Sequence, residues 1–489
     1  MPATPRRVGR VSDYVLAVAA LTLAGFLLRV ALLDRVPIWR DEAFTAVVVR
    51  QSWGRMFDVV AHDSAPPLSY ILVKLANQIS GSVTSLRMVA VLAGVAAIPV
   101  GAALGRRLAG EWGGIGAGAM TATLPSLVLL ARDLRMYSLA ALFVAGATLA
   151  LWRAVERPEA IRLAVYALCV AGGLLTHYVV AIGLVAGAAS ALLWLRPGAA
   201  VALRCAGAGA VGALALLPWA LYASAQFSHA ASPFWAGSPS LSGLGTMLAY
   251  FAGGAGVDRA NPVWQGISGL VSVSVIAGGL SMLGAAIWAW MAGAQSRRGA
   301  AYLASVTGLT VVFLALVSMA KPIFDARYAM PAVLPLIAVA GAGLVQRRRL
   351  AMLLPLVLAI AALPIAVNVT NPDIPAVVAH LYAEVRPGDE IVVTGARDYF
   401  PMRYYLDPQT GERLLIVSRG GLRWFDGTAD IPSDHVFRRI PDGGGRIFVI
   451  GKAGFSDPLP AGYVRHERYC VILDCIQEFE RPTQSAGAP

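Results

Sequence analysis

Charge is scarce in this chain of 489 residues. Asp, Glu, Lys and Arg together make up 14% of it, where a soluble domain spends about a quarter of its residues on them. Lysine occurs only at Lys74, Lys321 and Lys452, and there are only six histidines and four cysteines. So few cysteines over this length exclude a disulfide-stapled scaffold. The 50 glycines and 29 prolines follow no fixed period, which excludes a collagen-like chain. What is plentiful is apolar: 57% of residues are hydrophobic and mean hydropathy is +0.65. So much apolar surface with so little charge requires lipid as the neighbour, and the composition is that of a polytopic membrane protein.

The net charge of +12 would suit a nucleic-acid binder if the cations formed a patch. Instead, many of the 37 arginines sit in short connectors between apolar runs. Runs of the length needed to cross a bilayer fall at about 13–33, 85–104, 111–131, 136–152, 163–176, 178–195, 201–222, 264–291, 300–319, 328–346 and 350–367. Eleven spans result, with the 163–176 and 178–195 pair separated only by Thr176, His177 and Tyr178. Arg6, Arg7 and Arg10, Arg106 and Arg107, Arg153, Arg157 and Arg162, Arg196 and Arg204, Arg297 and Arg298, and Arg347 to Arg349 then share one side. The positive-inside rule makes that side cytoplasmic. The amino end lies inside, and 34–84, 223–263 and the tail from 368 lie outside.

The expected fold is therefore a mainly α, polytopic bundle over 1–367, with a small extracytoplasmic α/β domain over 368–489. In that tail, helices are expected at 374–385 and 399–406, and strands at 390–394, 414–417 and 446–450. Cys470 and Cys475 sit close enough in YCVILDC to bridge across a hairpin or to stand as two free thiols.

The span centres are nearly free of ionisable groups, which argues against an ion-coupled transporter. Acids and unexplained bases collect instead at outer helix ends. Asp41 and Glu42 follow the first span in PIWRDEAFT; adjacent carboxylates cannot share a helix face, so one can serve as base and the other as helper. Asp41 can equally cap a segment from Glu42 to Val49. His62 and Asp63 precede the stiff Pro66–Pro67 pair, either near Asp41 or as a cap for an interfacial stretch from Leu68 to Ile79. In ARDLRMYSL, Arg132, Arg135 and Tyr137 are candidate anion ligands or side chains snorkelling to the interface, and Lys321, Arg327 and Tyr328 repeat the pattern in KPIFDARYAMP.

The order WRDEAF, HDSAPPLSY, ARDLRMYSL, THY and KPIFDARYAMP, across roughly residues 10–345, resembles the GT-C membrane glycosyltransferases, in particular the protein O-mannosyltransferase and aminoarabinose-transferase group. The resemblance implies transfer of a sugar from a polyprenyl-phosphate donor to an acceptor hydroxyl on the extracytoplasmic face, with inversion, and Asp41 as general base with Glu42 orienting acceptor or base. It implies that Arg132, Arg135, Tyr137, Lys321, Arg327 and Tyr328 hold the donor phosphate. His62, Asp63 and His177 become candidates for sugar or acceptor contact or for a divalent metal, whose requirement stays open. The acceptor can be a protein, a lipid or a glycan. A lipid-linked saccharide flippase and a membrane polymerase or ligase of lipid-linked glycans are the competing readings. Arginine in place of lysine fits a GC-rich bacterial genome and hence an inner membrane.

Overall fold

The computed structural model describes residues 12–228, 236–253, 262–291, 294–345, 353–367, 374–442, 445–452, 459–471 and 474–481. The arginine clusters at Arg6, Arg7 and Arg10 and at Arg347 to Arg349 lie outside the described residues.

The apolar runs form a helical bundle. Among the described residues, six helices are long and apolar enough to cross a membrane: Asp13–Val30, Val83–Thr123, Tyr137–Glu156, Ala199–Tyr222, Ser296–Ala320 and Ala326–Leu344. Five more apolar helices are shorter, at Ala160–Thr176, Val180–Leu195, Leu241–Phe251, Ser268–Gly284 and Leu354–Ile365. The long helix Val83–Thr123 is two antiparallel arms. Its helical path breaks at Ala109 and at Gly110, whose φ of 67° is left-handed and suits glycine. The arms then pack face to face on small residues. A Cβ on Gly101 would stand 2.5 Å from Thr121 Oγ1, and one on Gly105 would stand 2.4 Å from the Gly113 carbonyl oxygen. Close backbone approach of this kind is how helices associate where no hydrophobic effect drives them together. The tract 163–195 is likewise interrupted, with His177 in extended conformation between Ala160–Thr176 and Val180–Ser190.

Two arginines sit deeper among the helices than the sequence pattern suggests. Arg29 donates to the carbonyl oxygens of Gly25, Thr121 and Ala122 at 2.8–3.1 Å. Arg87 is equally buried and is taken up below. Arg29 is held mainly by backbone carbonyls and Arg87 by a carboxylate and carbonyls, so both are tied into the scaffold.

Between the first two long helices the chain makes three short helices, Arg40–Arg50, Trp53–His62 and Leu68–Ile79, the last entered through Pro67. The C-terminal region adds a six-stranded mixed sheet: β1 (Glu390–Val393), β2 (Leu414–Val417), β3 (Val436–Phe437), β4 (Ile447–Lys452), β5 (Val464–Val471) and β6 (Asp474–Glu480). The strand order is β3-β2-β1-β4-β6-β5, parallel from β3 to β4 and antiparallel through β6 and β5. Helices Ile374–Glu384 and Ala396–Tyr405 accompany it. The expected β1, β2 and β4 and both helices are present. β3, β5 and β6 are additions, and β5 carries mostly exposed residues without the apolar alternation that announces a strand. Cys470 and Cys475 are disulfide-bonded as a cross-strand pair of β5 and β6.

The sheet is not set apart from the bundle. One apolar cluster runs from Ile38, Phe44, Met56, Val59 and Val60 of the first loop into Tyr399, Phe400, Met402 and Ile450. Within this region Asp398 is buried, with its carboxyl pushed up to about 7 by desolvation and then by Asp474, despite Arg397 at 3.8 Å. Its folded pKa lies above the ordinary 3.8, so the native state holds more protons in that window and its stability declines as pH rises from about 4 to about 7. Thermal unfolding midpoints measured across that range should fall with pH, and Asp398→Asn should flatten the decline. An unchanged slope in the variant would remove Asp398 from this role.

Candidate active site

The site is assembled from helix ends, and one buried ion pair sets their angles. Glu42, 1% exposed, receives a two-pronged guanidinium from Arg87, with Nε 2.8 Å from Oε1 and Nη2 2.6 Å from Oε2. The same carboxylate accepts from the backbone N–H of Leu134 at 2.8 Å and of Trp39 at 3.4 Å. Arg87 Nη1 also donates to the carbonyls of Leu33 and Val36 at 2.9 Å each. Three segments distant in sequence are thereby fixed to one carboxylate. Successive residues on a helix differ by about 100° in direction, so locking Glu42 into the core turns Asp41 onto a different face.

Asp41 faces a cavity of about 340 Å³. Asp63, Arg135, Tyr137, His177, Lys321 and Tyr328 also line it, from four other stretches of chain. Arg135 is 3.5 Å from the Asp41 carbonyl oxygen and donates to Thr45 Oγ1 at 3.2 Å. Burial opposes its charge, but Tyr70 and the carboxylates of Asp41 and Asp63 outweigh burial, so the guanidinium is held more firmly protonated than usual. Asp63 is 6% exposed and its carboxyl is raised by desolvation, which Arg135 partly offsets. Tyr70 donates to it at 3.4 Å.

His177 is pushed down to about 3, by burial first and by Arg135 second, and is therefore neutral at physiological pH. Its Nδ1 accepts the Val179 backbone N–H at 3.1 Å, which leaves Nε2 to carry the proton as a donor. The ring sits between Tyr137 and Tyr328, with centroids 6.0 and 5.4 Å away.

The C-terminal region closes the cavity with Phe400, Trp424, Asp426 and Gly427. Arg40 bridges the two sides, with Nε 3.7 Å from Asp41 Oδ1 and Nη2 3.3 Å from Asp426 Oδ1. Phe44 meets Phe400 edge-on at 5.0 Å. Gly427 lies at φ 77°, and a Cβ there would come within 2.5 Å of Phe400 and 3.0 Å of Phe44, so glycine is required for this closure. Lys321 stands 5.6 Å over the Trp424 ring.

Of the residues the sequence singles out, Asp41, Asp63, Arg135, Tyr137, His177, Lys321 and Tyr328 meet in the cavity. Glu42 does not reach it, because Arg87 holds it in the core. Arg132 does not either: it donates to the carbonyls of Arg29, Ala31 and Leu32 at 2.6–3.2 Å, capping the end of the first helix, where a cation offsets the helix dipole. Arg327 is at the margin, 3.2 Å from Asp325, which caps the short helix Ala326–Ala329. His62 points to solvent beside Asp58. Among the described residues no group of three or more His, Cys, Asp or Glu side chains converges as a metal site.

Sequence reasoning missed Tyr178, Gln226 and Asp426 as lining residues. Tyr178 donates to Gln226, whose amide donates to the carbonyls of Val60 and Ala65 at 2.6 and 3.3 Å. This tie holds the Asp63 turn against the wall. A glutamine in a long connector carries no sequence signal for that. Arg40 was legible only as part of WRDEAF.

Residues 64–250 match the family model described as dolichyl-phosphate-mannose-protein mannosyltransferase, a stretch of less than half the chain. No curated protein matches the sequence. Among solved structures, ArnT from Cupriavidus metallidurans in the apo state is similar at 15% identity and a TM-score of 0.61, covering 89% of this chain and 92% of that one. ArnT from the same organism bound to undecaprenyl phosphate is similar at 13% identity and a TM-score of 0.59, covering 98% of this chain and 100% of that one. At these identities the likeness is one of fold.

The contrast between Glu42 and Asp41 is measurable as stability. Breaking a buried ion pair by removing one partner costs about 3–5 kcal/mol, so Arg87→Met and Glu42→Gln should each lower the unfolding midpoint strongly. Asp41→Asn should leave it nearly unchanged. Equal midpoints for all three proteins would contradict the assignment of Glu42 to the scaffold.

Proposed function

We propose that this chain, a membrane glycosyltransferase of the GT-C type, transfers a sugar from a polyprenyl-phosphate donor to an acceptor hydroxyl by a single inverting displacement. The observation that carries the reading is the convergence on one cavity of a carboxylate, Asp41, with the cations Arg135 and Lys321. An anionic leaving group and an attacking hydroxyl need those two kinds of partner. The ArnT structure of the same fold is bound to undecaprenyl phosphate, which supports a lipid phosphate as donor head group.

In this mechanism Asp41 takes the proton of the acceptor hydroxyl as its oxygen bonds to the anomeric carbon. The bond from that carbon to the phosphate oxygen breaks, and its electron pair stays on the lipid phosphate. Arg135 and Lys321 stabilise the growing phosphate charge from positions already fixed in a partly desolvated site. Tyr137, Tyr328 and the Nε2–H of His177 donate hydrogen bonds to phosphate or sugar oxygens. Asp63 contacts the sugar hydroxyls or the acceptor. Arg327 adds its charge from the margin. Glu42 acts one step removed, by setting the direction of Asp41.

We place the cavity on the extracytoplasmic face of a bacterial inner membrane. The arrangement is one of eleven spans over 1–367 with the amino end inside, and a soluble extracytoplasmic domain over 368–489 roofing the site. The connector arginines support that orientation.

General-base catalysis contributes about 10²–10⁴-fold, so Asp41→Asn supplied with polyprenyl-phosphate sugars should lose turnover by that order while still binding donor. Arg135→Ala should raise the donor KM about tenfold or more, since a hydrogen bond to a charged group is worth about 1.5–3 kcal/mol. Turnover of Asp41→Asn like that of the unaltered protein would exclude it as the base. A rise confined to the acceptor KM in Arg135→Ala would exclude phosphate binding there.

A further inference from the structure

A second concavity lies at the far end of the bundle from the cavity. It is a groove of about 920 Å³ between the first helix and the first arm of the Val83–Thr123 hairpin. Val18, Ala19, Phe26, Val95 and Pro99 make its walls apolar, while Arg106, Arg107 and Arg153 stand together at one end. That end is remote from the catalytic cavity. Arg153 is 16 residues along its helix from Tyr137, which is roughly 24 Å at 1.5 Å per residue.

We propose that this groove binds one anionic membrane phospholipid, with its phosphate on the three arginines and an acyl chain along the apolar walls. Two features on different scales agree with that occupant. From Tyr14 to Phe26 the groove follows twelve residues of helix, roughly 18 Å, close to the ~15 Å of hydrocarbon in one leaflet. The arginine end also keeps spare cationic capacity. Arg106 reaches Glu111 at 3.3 Å in a pair that is half exposed and lies 4.4 Å over the Tyr14 ring. Arg107 pairs with Glu156, yet its buried Nε has no hydrogen-bond partner. No ion pair engages the Arg153 side chain among the described residues. Three guanidiniums against two carboxylates leave a net positive end. A phosphate diester satisfies it, and a zwitterionic choline lipid would bring a second cation to the same place.

The test uses the full chain reconstituted with equimolar phosphatidylglycerol and phosphatidylcholine, extracted gently and weighed intact by native mass spectrometry. The unaltered protein should retain one phosphatidylglycerol in preference to phosphatidylcholine. Arg106→Gln and Arg153→Gln should each weaken that retention about fivefold, the worth of one basic residue at an anionic membrane surface. Ala19→Trp, which fills the groove and leaves the arginines in place, should abolish it while turnover at the distant cavity persists. Equal retention of both lipids, or undiminished phosphatidylglycerol in Ala19→Trp, would overturn the proposal. So would a raised donor KM in Ala19→Trp with phosphatidylglycerol retained, which would assign the groove to the polyprenyl donor. None of these readouts depends on Asp41 being the base.

Discussion

The Glu42–Arg87 pair is the constraint on which the cavity depends. Burying two opposite charges is costly, and the arrangement persists because each remaining lone pair and N–H is used: Glu42 also takes the backbone of Trp39 and Leu134, and Arg87 also holds the carbonyls of Leu33 and Val36. The pair joins the exit of the first helix, the start of the helix carrying Asp41, the second long helix and the turn before Arg135. No apolar contact could fix all four with comparable directionality. Arg132 performs a parallel service, binding the carbonyls at the end of the first helix. Scaffold charges and working charges are thus neighbours in sequence and opposite in destination.

The division also explains the electrostatics of the cavity. Arg135 stays charged in a buried place because acids and phenols surround it, and burial, seconded by that charge, keeps His177 neutral. A neutral imidazole with its proton on Nε2 can donate a hydrogen bond without competing for the acceptor's proton. The cavity therefore combines carboxylates, with Asp426 paired to Arg40, and fixed donors, the two kinds of group a displacement at an anomeric carbon requires. The C-terminal region completes it through Arg40–Asp426 and the Phe44–Phe400 contact that Gly427 permits.

Much of this was legible in the sequence, for identifiable reasons. Apolar runs and caps encode helices locally, so the bundle and the short helix Leu68–Ile79 appear where hydropathy and Pro67 place them. The resemblance to GT-C glycosyltransferases rests on motifs at helix ends; the mannosyltransferase family model matches residues 64–250, and the fold is similar to that of the ArnT structures. Only the resemblance separated Asp41 from Glu42, and nothing in the sequence separated Arg132 from Arg135. Each pair is alike in chemistry and close in position. The deciding partners, Arg87 in one case and the carbonyls of Arg29 to Leu32 in the other, lie 45 or about a hundred residues away. The roof was equally hidden: Asp426 and Gly427 sit in a polar loop whose composition is that of any solvated turn. β5 escaped notice because an edge strand with exposed residues has no alternation to display.

The central claim is that the outer cavity holds the lipid phosphate on Arg135 with Asp41 on the acceptor's side of the sugar. An experimental structure of the chain with polyprenyl phosphate bound tests it most directly. The account predicts phosphate oxygens within about 3 Å of the Arg135 guanidinium, with Asp41 left open toward the incoming hydroxyl. A phosphate bound away from Arg135, or one seated on Arg106 and Arg153 at the opposite end of the bundle, would contradict it.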